Sequence, residues 1–513
     1  NMSGSVEVAK SYTSILAQQW SIYVISLLTF GIIARVLDTH DIGVYGLIVS
    51  IIYLFGLSSN FGFKRVSIKM ISQLKGIDWV KARKSFWVSI LFASISILVI
   101  SILITYFLKY FKIFSLYTYE DLHYILFLTL LILFSFRNHL SLGLEALKEF
   151  HVLAVYVGAG FIIYRILMII TILLGYKLLG ILASWCIGEL ITIILIARKT
   201  FNRYTPFDID FKLYREMCKE APPIFISDII LSLTDYGDRV LTSIFGFTAV
   251  AFFYIASTGA MALGSFAQAL YNGLLPHLSE EYSNNNGDGV IYRVKSINRY
   301  VYLFISPIYL IGVALSYPFI SILVGPGYSQ AAAIFQVIAL GLWIASIAPI
   351  NQTMLIAAGR SFYLMIIMLV GVLADFAAIV FLYPFIGVLA TGFGKALLLV
   401  ITFILSTHII IRKWGEEPFN LSDYIIPTIS AVISASVTWL SWIILARLDL
   451  IIINIGIGVI LYLYLLRLFK AIKAEEIATL YKELPFKNRL KTVLKIICYI
   501  TGVEYNKVLE MIE

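Results

Sequence analysis

The stretch "SDIILSLTDYGDRVLTSIF" occupies residues 227–245. It lies in an apolar run of membrane-spanning length, yet it carries Asp228, Asp235, Asp238 and Arg239. A charge at the centre of a transmembrane helix costs about 2.5–3.5 kcal/mol on insertion scales. The segment therefore hides its charges against protein or water, or it does not span a membrane. A helix turns about 100° per residue, which brings Asp228, Asp235 and Arg239 within roughly 40° of one another and leaves Asp238 about 80° aside. Asp235 and Arg239, at i and i+4, are within pairing reach. Such a narrow charged stripe fits a helix that faces a bundle interior.

Composition decides between the two readings. Of 513 residues, 60% are hydrophobic and 13% charged, and the mean hydropathy is +0.92. Soluble domains are nearer 45–50% apolar and about 25% charged, so the chain reads as a polytopic membrane protein. The net charge of +9 does not point to nucleic acid, because the basic residues cluster in short loops between apolar spans. Cys186, Cys218 and Cys498 form no CxxC, and no HExxH occurs, so neither a disulfide framework nor a metal site is expected. No short apolar run with a small-residue cleavage site stands at the start, so no removable leader is expected.

A spanning helix needs about 20 mostly apolar residues. By that rule about fourteen spans lie near 11–36, 42–63, 85–108, 121–144, 150–175, 179–197, 222–246, 248–275, 298–322, 331–357, 361–383, 385–411, 423–446 and 450–470. With Lys10 inside, one set of loops holds Lys64, Arg65, Lys69, Lys81, Lys84, Lys148, Arg198, Arg203, Lys212, Lys295, Arg299, Arg360 and Arg412, among others. The opposite set holds Lys109, Lys112, Lys177 and Arg447. This positive-inside bias predicts a cell-membrane protein with both ends cytoplasmic.

The fold expected is all-α. It has an N-terminal lobe of six helices (1–200), a charged linker (201–221), a C-terminal lobe of six (222–411), two further helices (412–470) and a cytoplasmic tail (471–513). "IARVLDTHDIGVYGL" after the first span and "TSIFGFTAVAFFYIA" after the seventh are faintly alike, as a parallel repeat requires. In the tail, Phe486, Leu490, Val493, Leu494 and Ile497 oppose Lys487, Arg489, Lys491 and Lys495. That pattern suits a basic amphipathic helix lying on anionic lipid, or one packed on the cytoplasmic loops.

Intramembrane ionisable groups mark functional sites by default. The first half carries Arg35, Arg137 and Arg165 against Glu189. The guanidinium fork suits phosphate oxygens, so these arginines are candidate phosphate ligands, with Arg165–Glu189 pairing as the structural alternative for Arg165. Asp375 and Lys395 lie at comparable depth on consecutive spans of the second half. "ATGFGKAL" is not a P-loop: the first glycine would fall at Leu389, and Ala396 follows Lys395. No ATP hydrolysis is expected, and H+ or Na+ is the candidate coupling ion. No nucleophile–base constellation stands out, so no enzyme is expected.

"ARVLDTHDIGVYGL" (34–47), "SNFGFKRVSIKMI" (59–71), "DRVLTSIFGFTAVAFFYIAS" (238–257), "LVGPGYSQAAAIFQVIALG" (323–341) and "AAGR" (357–360) occur in one order. Together they resemble the polysaccharide and lipid-linked oligosaccharide flippases of the multidrug/oligosaccharidyl-lipid/polysaccharide exporter superfamily. One departure is Ala251, where glycine would be usual. The resemblance implies two lobes around a central cavity and two extra helices forming a lipid-tail groove. It implies translocation of a polyprenyl- or dolichyl-phosphate-linked oligosaccharide to the outer leaflet by alternating access. By type, Arg35, Arg137, Arg165, Arg239 and Lys395 would bind phosphate or glycan, and Asp228, Asp235, Asp238 and Asp375 a cation or sugar; only Arg35 and the Asp238–Arg239 pair sit at motif positions. Membrane lipid and the glycan lipid are the expected partners, and a monomer is expected because the path lies within one chain. Two alternatives stay open: a cation-coupled multidrug antiporter of the same superfamily, and a membrane glycan polymerase or ligase, against which the short outer loops count.

Overall fold

Regular structure among the described residues is helical throughout. The computed structural model describes residues 25–272, 290–445 and 447–471, with positions 498 and 503. The amphipathic segment expected at 486–497 lies outside them. The chain divides into two compact units. The first runs to Ile255 and includes Leu323–Gly325; the second takes Ala256–Ile322 and the chain from Pro326 onward. The division falls well after the 201–221 segment read as a linker, and the charged seventh span belongs to the first unit.

The first unit contains α1 (Ile25–Val36), α2 (Thr39–Ser58), α3 (Phe63–Leu74), α4 (Trp79–Tyr110), α5 (Glu120–Leu140), α6 (Leu142–Glu145), α7 (Phe150–Leu173), α8 (Lys177–Tyr204) and α9 (Phe211–Ser232). A π-helical turn (Leu233–Gly237), α10 (Asp238–Thr242) and the start of α11 (Phe247–Asn272) complete it. The second unit adds α12 (Val290–Ala314), α13 (Ser316–Val324), α14 (Ser329–Ile344), α15 (Ala348–Ala357), α16 (Ser361–Ile386), α17 (Leu389–Trp414), α18 (Ser422–Leu445) and α19 (Ile451–Leu468).

Twelve of the described helices are long and apolar enough to cross a membrane, against the fourteen expected. The first expected span is described only as α1, which is short. The seventh, α9 with its continuation through α10, is not among the twelve, and it carries a π-helical turn at Leu233–Gly237. A π turn inserts an extra residue into the ladder and is a recognised feature of functional sites.

Residues 63–74, read as loop, form helix α3. Phe63, Val66, Ser67 and Ile71 recur at helical spacing and are buried, which is the signature of an amphipathic helix. Its apolar face joins Val88, Met217 and Ala221 in one cluster. Its basic face meets α9: Arg65 pairs with Asp228 at 3.0 Å and Lys69 with Glu220 at 2.8 Å. Lys81 and Lys84 continue the row to Glu216 at 4.0 Å and Asp208 at 3.3 Å. Glu216 and Glu220 are four residues apart, so one face of α9 carries both.

Glycine allows the close helix approaches that matter to the site. A Cβ at Gly46 of α2 would lie 2.9 Å from the Tyr254 ring, and one at Gly188 of α8 would lie 2.5 Å from Tyr164 Cβ. In the second unit, α18 and α19 meet α12 through Ala431, Tyr462, Leu466 and Leu303, with the Tyr462 hydroxyl donating to the Leu303 carbonyl at 2.6 Å.

Candidate functional site

Three arginines of the first unit share one local design. Arg137 lies over the Phe134 ring at 4.9 Å, Arg165 over Phe161 at 4.9 Å and Tyr164 at 4.8 Å, and Arg239 over Tyr236 at 5.8 Å and Tyr254 at 5.3 Å. In each case one ring belongs to a residue three or four positions earlier in the chain. Long helical side chains lean back over the preceding turn, so an aromatic at i−3 or i−4 lies beneath the guanidinium and its π face attracts the charge.

The rings join the arginines into one network. From Arg239, Tyr254 packs edge-on against Tyr45 at 5.8 Å, and the Tyr45 and Tyr164 hydroxyls are 3.4 Å apart. Tyr164 stacks on Trp185 at 5.5 Å. Trp185 donates its Nε1–H to Glu189 Oε1 at 3.0 Å, and Glu189 Oε2 accepts from Arg137 Nε at 2.5 Å. A second path leaves Arg239 through Tyr236, which stacks on Tyr53 at 5.0 Å; Tyr53 then meets Phe134 at 4.9 Å, under Arg137. The two paths close into a ring of aromatic side chains carrying three guanidinium groups.

The charges within that ring are not balanced alike. Arg137 has the Glu189 carboxylate, and Glu189 is 8% exposed. Arg165 takes two hydroxyls instead, donating to Thr29 at 3.0 Å and to Ser26 at 3.2 Å. The pairing weighed for Arg165–Glu189 is therefore corrected: Glu189 goes to Arg137, with the Nε–Oε2 contact closing from α5 to α8. No ion pair joins Arg165 or Arg239 to any described carboxylate, and the Nε atoms of both are buried without an acceptor. The Asp235–Arg239 pair expected from i,i+4 spacing does not form. Asp235 lies within the π turn at 233–237, where a helical register of 3.6 residues per turn no longer applies. Asp235 is exposed, whereas Arg239 is buried.

The remaining candidates lie apart. Asp228 is paired with Arg65. Asp238 is buried, and its Oδ1 accepts the Arg239 backbone N–H at 2.7 Å. Arg35 is exposed. Asp375 and Lys395 are buried in the second unit, where Asp375 packs so closely on Gly394 that a Cβ there would collide with its carboxylate. Thus Arg137, Arg165 and Arg239 come together within the first unit, where Asp228 is instead engaged by Arg65. The sequence reading missed Tyr45, Tyr53, Tyr164, Trp185, Tyr236 and Tyr254. An aromatic placed three or four residues before an intramembrane arginine, as in "FSFR", "FIIYR" and "YGDR", is a signal that finds Tyr236 among them, along with Phe134 and Phe161. Tyr164 directly precedes Arg165, and Tyr45, Tyr53, Trp185 and Tyr254 lie elsewhere in the chain.

A family model described as "Polysaccharide biosynthesis protein" matches residues 8–281, more than half of the chain. No curated protein matches. Among solved structures, the fold is similar to the lipid II flippase MurJ in an inward closed conformation, with TM-score 0.70 and 16% identity over 88% of this chain and 98% of that one. It is also similar to an inward-facing multidrug resistance MATE family transporter of the MOP superfamily, with TM-score 0.60 and 13% identity over 75% of this chain and 92% of that one. A mutant of the Vibrio cholerae MATE transporter VcmN gives TM-score 0.52 and 14% identity over 79% and 99%. These identities establish a shared all-helical transporter fold.

Proposed function

Because the chain belongs to the polysaccharide biosynthesis protein family, we propose that this multi-pass membrane protein flips a polyprenyl- or dolichyl-phosphate-linked oligosaccharide from the cytoplasmic to the outer leaflet. The observation that carries this reading is the pair formed by half-buried Arg165 and buried Arg239, which meet hydroxyls and rings but no described carboxylate and whose Nε atoms are buried without an acceptor. A buried charge without an opposite charge is costly, and an anionic ligand relieves that cost. Arginine forks match phosphate oxygens in geometry as well as charge. The surrounding tyrosines and tryptophan offer hydroxyl donors and flat faces to the first sugars.

The likeness to a protein named a lipid II flippase supports a lipid-linked substrate of this chemistry. The basic loops face the cytoplasm, and the arginine network opens alternately to the two sides. A drug–cation antiporter would want carboxylates where this network presents guanidinium groups, so the anionic reading is favoured. No covalent step is involved.

The test is reconstitution in liposomes with a fluorescent lipid-linked oligosaccharide whose accessibility to an external quencher is followed, with and without H+ and Na+ gradients. Time-dependent quenching that depends on Arg165 and Arg239 is the expected result. Ion-driven efflux of a cationic dye without movement of any glycan lipid would replace the flippase with an antiporter. Growth of the glycan during the assay would replace it with a polymerase.

A further inference from the structure

We infer that Glu189 is a built-in occupant of the anion seat at Arg137, and that substrate phosphate displaces it with uptake of one proton. The inference rests on the reading of the arginine network as a phosphate site. Glu189 is buried between two donors: Arg137 Nε at 2.5 Å on one oxygen and Trp185 Nε1 at 3.0 Å on the other. Trp185 stacks on Tyr164, and the Arg165 guanidinium lies 4.8 Å from the Tyr164 ring. The carboxylate thus holds Arg137, one aromatic layer away from an arginine that has no carboxylate. An oxyanion drawn to Arg165 and Arg239 meets, at Arg137, a guanidinium already taken.

Groups around Glu189 shape the outcome. Arg137 faces it from α5, Tyr53 from α2, and Trp185 and Cys186 from its own helix; Tyr164 and Arg165 of α7 lie one layer beyond. None of these is a second carboxylate. When phosphate takes Arg137, Glu189 faces a like charge and loses its counter-ion. A buried carboxylate left charged in that way is strongly disfavoured, and protonation removes the penalty. The balance is simple. A proton from solvent forms one O–H bond on Glu189, no covalent bond breaks, and the Arg137–carboxylate contact is exchanged for an Arg137–phosphate contact. Trp185 Nε1–H keeps its acceptor, now the carbonyl oxygen of the neutral acid.

Linkage then fixes the sign. If the bound state holds one more proton than the free state, affinity falls as pH rises, by up to about tenfold per pH unit. Replacing Glu189 by Gln removes both the competing charge and the proton. The test uses the purified full chain in nanodiscs and a short-chain prenyl pyrophosphoryl-N-acetylglucosamine, a diester with no titration between pH 5.5 and 8. Calorimetry in two buffers of different ionisation enthalpy reads the proton count on the native chain, independent of any variant. The expected results are uptake approaching one proton, a dissociation constant that rises with pH, and an E189Q variant that binds at least about tenfold more tightly at pH 7.5 with the slope flattened. No proton uptake, or the same slope in E189Q, overturns the inference while leaving the phosphate site in place. Binding that is unaffected by Arg165→Ala and Arg239→Ala overturns the phosphate reading itself, and with it the inference. Thermal melting separates a misfolded E189Q from a folded one, and Glu189→Asp, which keeps the acid, should keep the pH slope.

Discussion

Two charged regions of the first unit make opposite uses of the same residue types. Where α3 and α4 meet α9 and the chain just before it, four cations meet acids: Arg65–Asp228, Lys69–Glu220, Lys81–Glu216 and Lys84–Asp208. In the arginine–aromatic network, only Arg137 has a carboxylate, while Arg165 and Arg239 have hydroxyls and rings. The first region is mostly open to water, where ion pairs add little stability but set register. The second is largely withdrawn from water, where an uncompensated charge is costly and an anion would relieve it. Charge with a partner holds helices; charge without one waits for a ligand.

That contrast can be broken or sharpened by substitution. Arg137→Ala should show the largest effect on stability, because it strands Glu189; breaking a buried pair costs about 3–5 kcal/mol. Melting in detergent should drop sharply, and removing Glu189 as well should recover much of the loss without restoring transport. Arg165→Ala and Arg239→Ala should do the reverse. On the proposed reading each removes a charged contact to substrate worth about 1.5–3 kcal/mol, so flipping should fall roughly 10- to 100-fold with melting near the wild type. If either variant instead loses folded protein and keeps its rate per molecule, the distinction between the regions fails for that residue.

Arg165→Lys is a finer probe. It keeps the charge and loses the fork, and a loss of about tenfold in flipping rate would correspond to about 1.4 kcal/mol. The smallest effect belongs to the open row. Lys69→Ala, at a pair whose side chains are both about half exposed, should change stability by no more than about 1 kcal/mol and leave flipping unchanged. A large transport defect there would mean that the row takes part in the cycle.

Much of the architecture is legible from composition and periodicity. Twenty-residue apolar runs have one low-energy solution in lipid, a helix, because every backbone N–H and C=O must be satisfied locally. Hence the all-α class and the span positions follow from the residues alone, and so does the presence of costly charges such as Arg137, Arg165 and Arg239. Pairing does not follow. Asp235–Arg239 is correct by helical arithmetic and wrong in the folded chain, since the π turn at Leu233–Gly237 changes the register locally. On sequence grounds Glu189 is the candidate partner of Arg165, and the packing of α5 against α8 gives it to Arg137 instead. Lys64, Arg65 and Lys69 read as a loop because a short amphipathic helix carries too few apolar residues to register as a span.

The sequence by itself determined that this chain is a bundle of membrane helices with arginines placed where lipid would reject them. Each helix satisfies its own backbone, so helix formation is local information. Only the tertiary structure decided which arginines keep an uncompensated charge. That depends on side chains brought together from α2, α5, α7, α8, α10 and α11, whose contacts are set by close packing at positions such as Gly46 and Gly188. Neutralisation is a property of distances in space, and a linear pattern does not carry those distances.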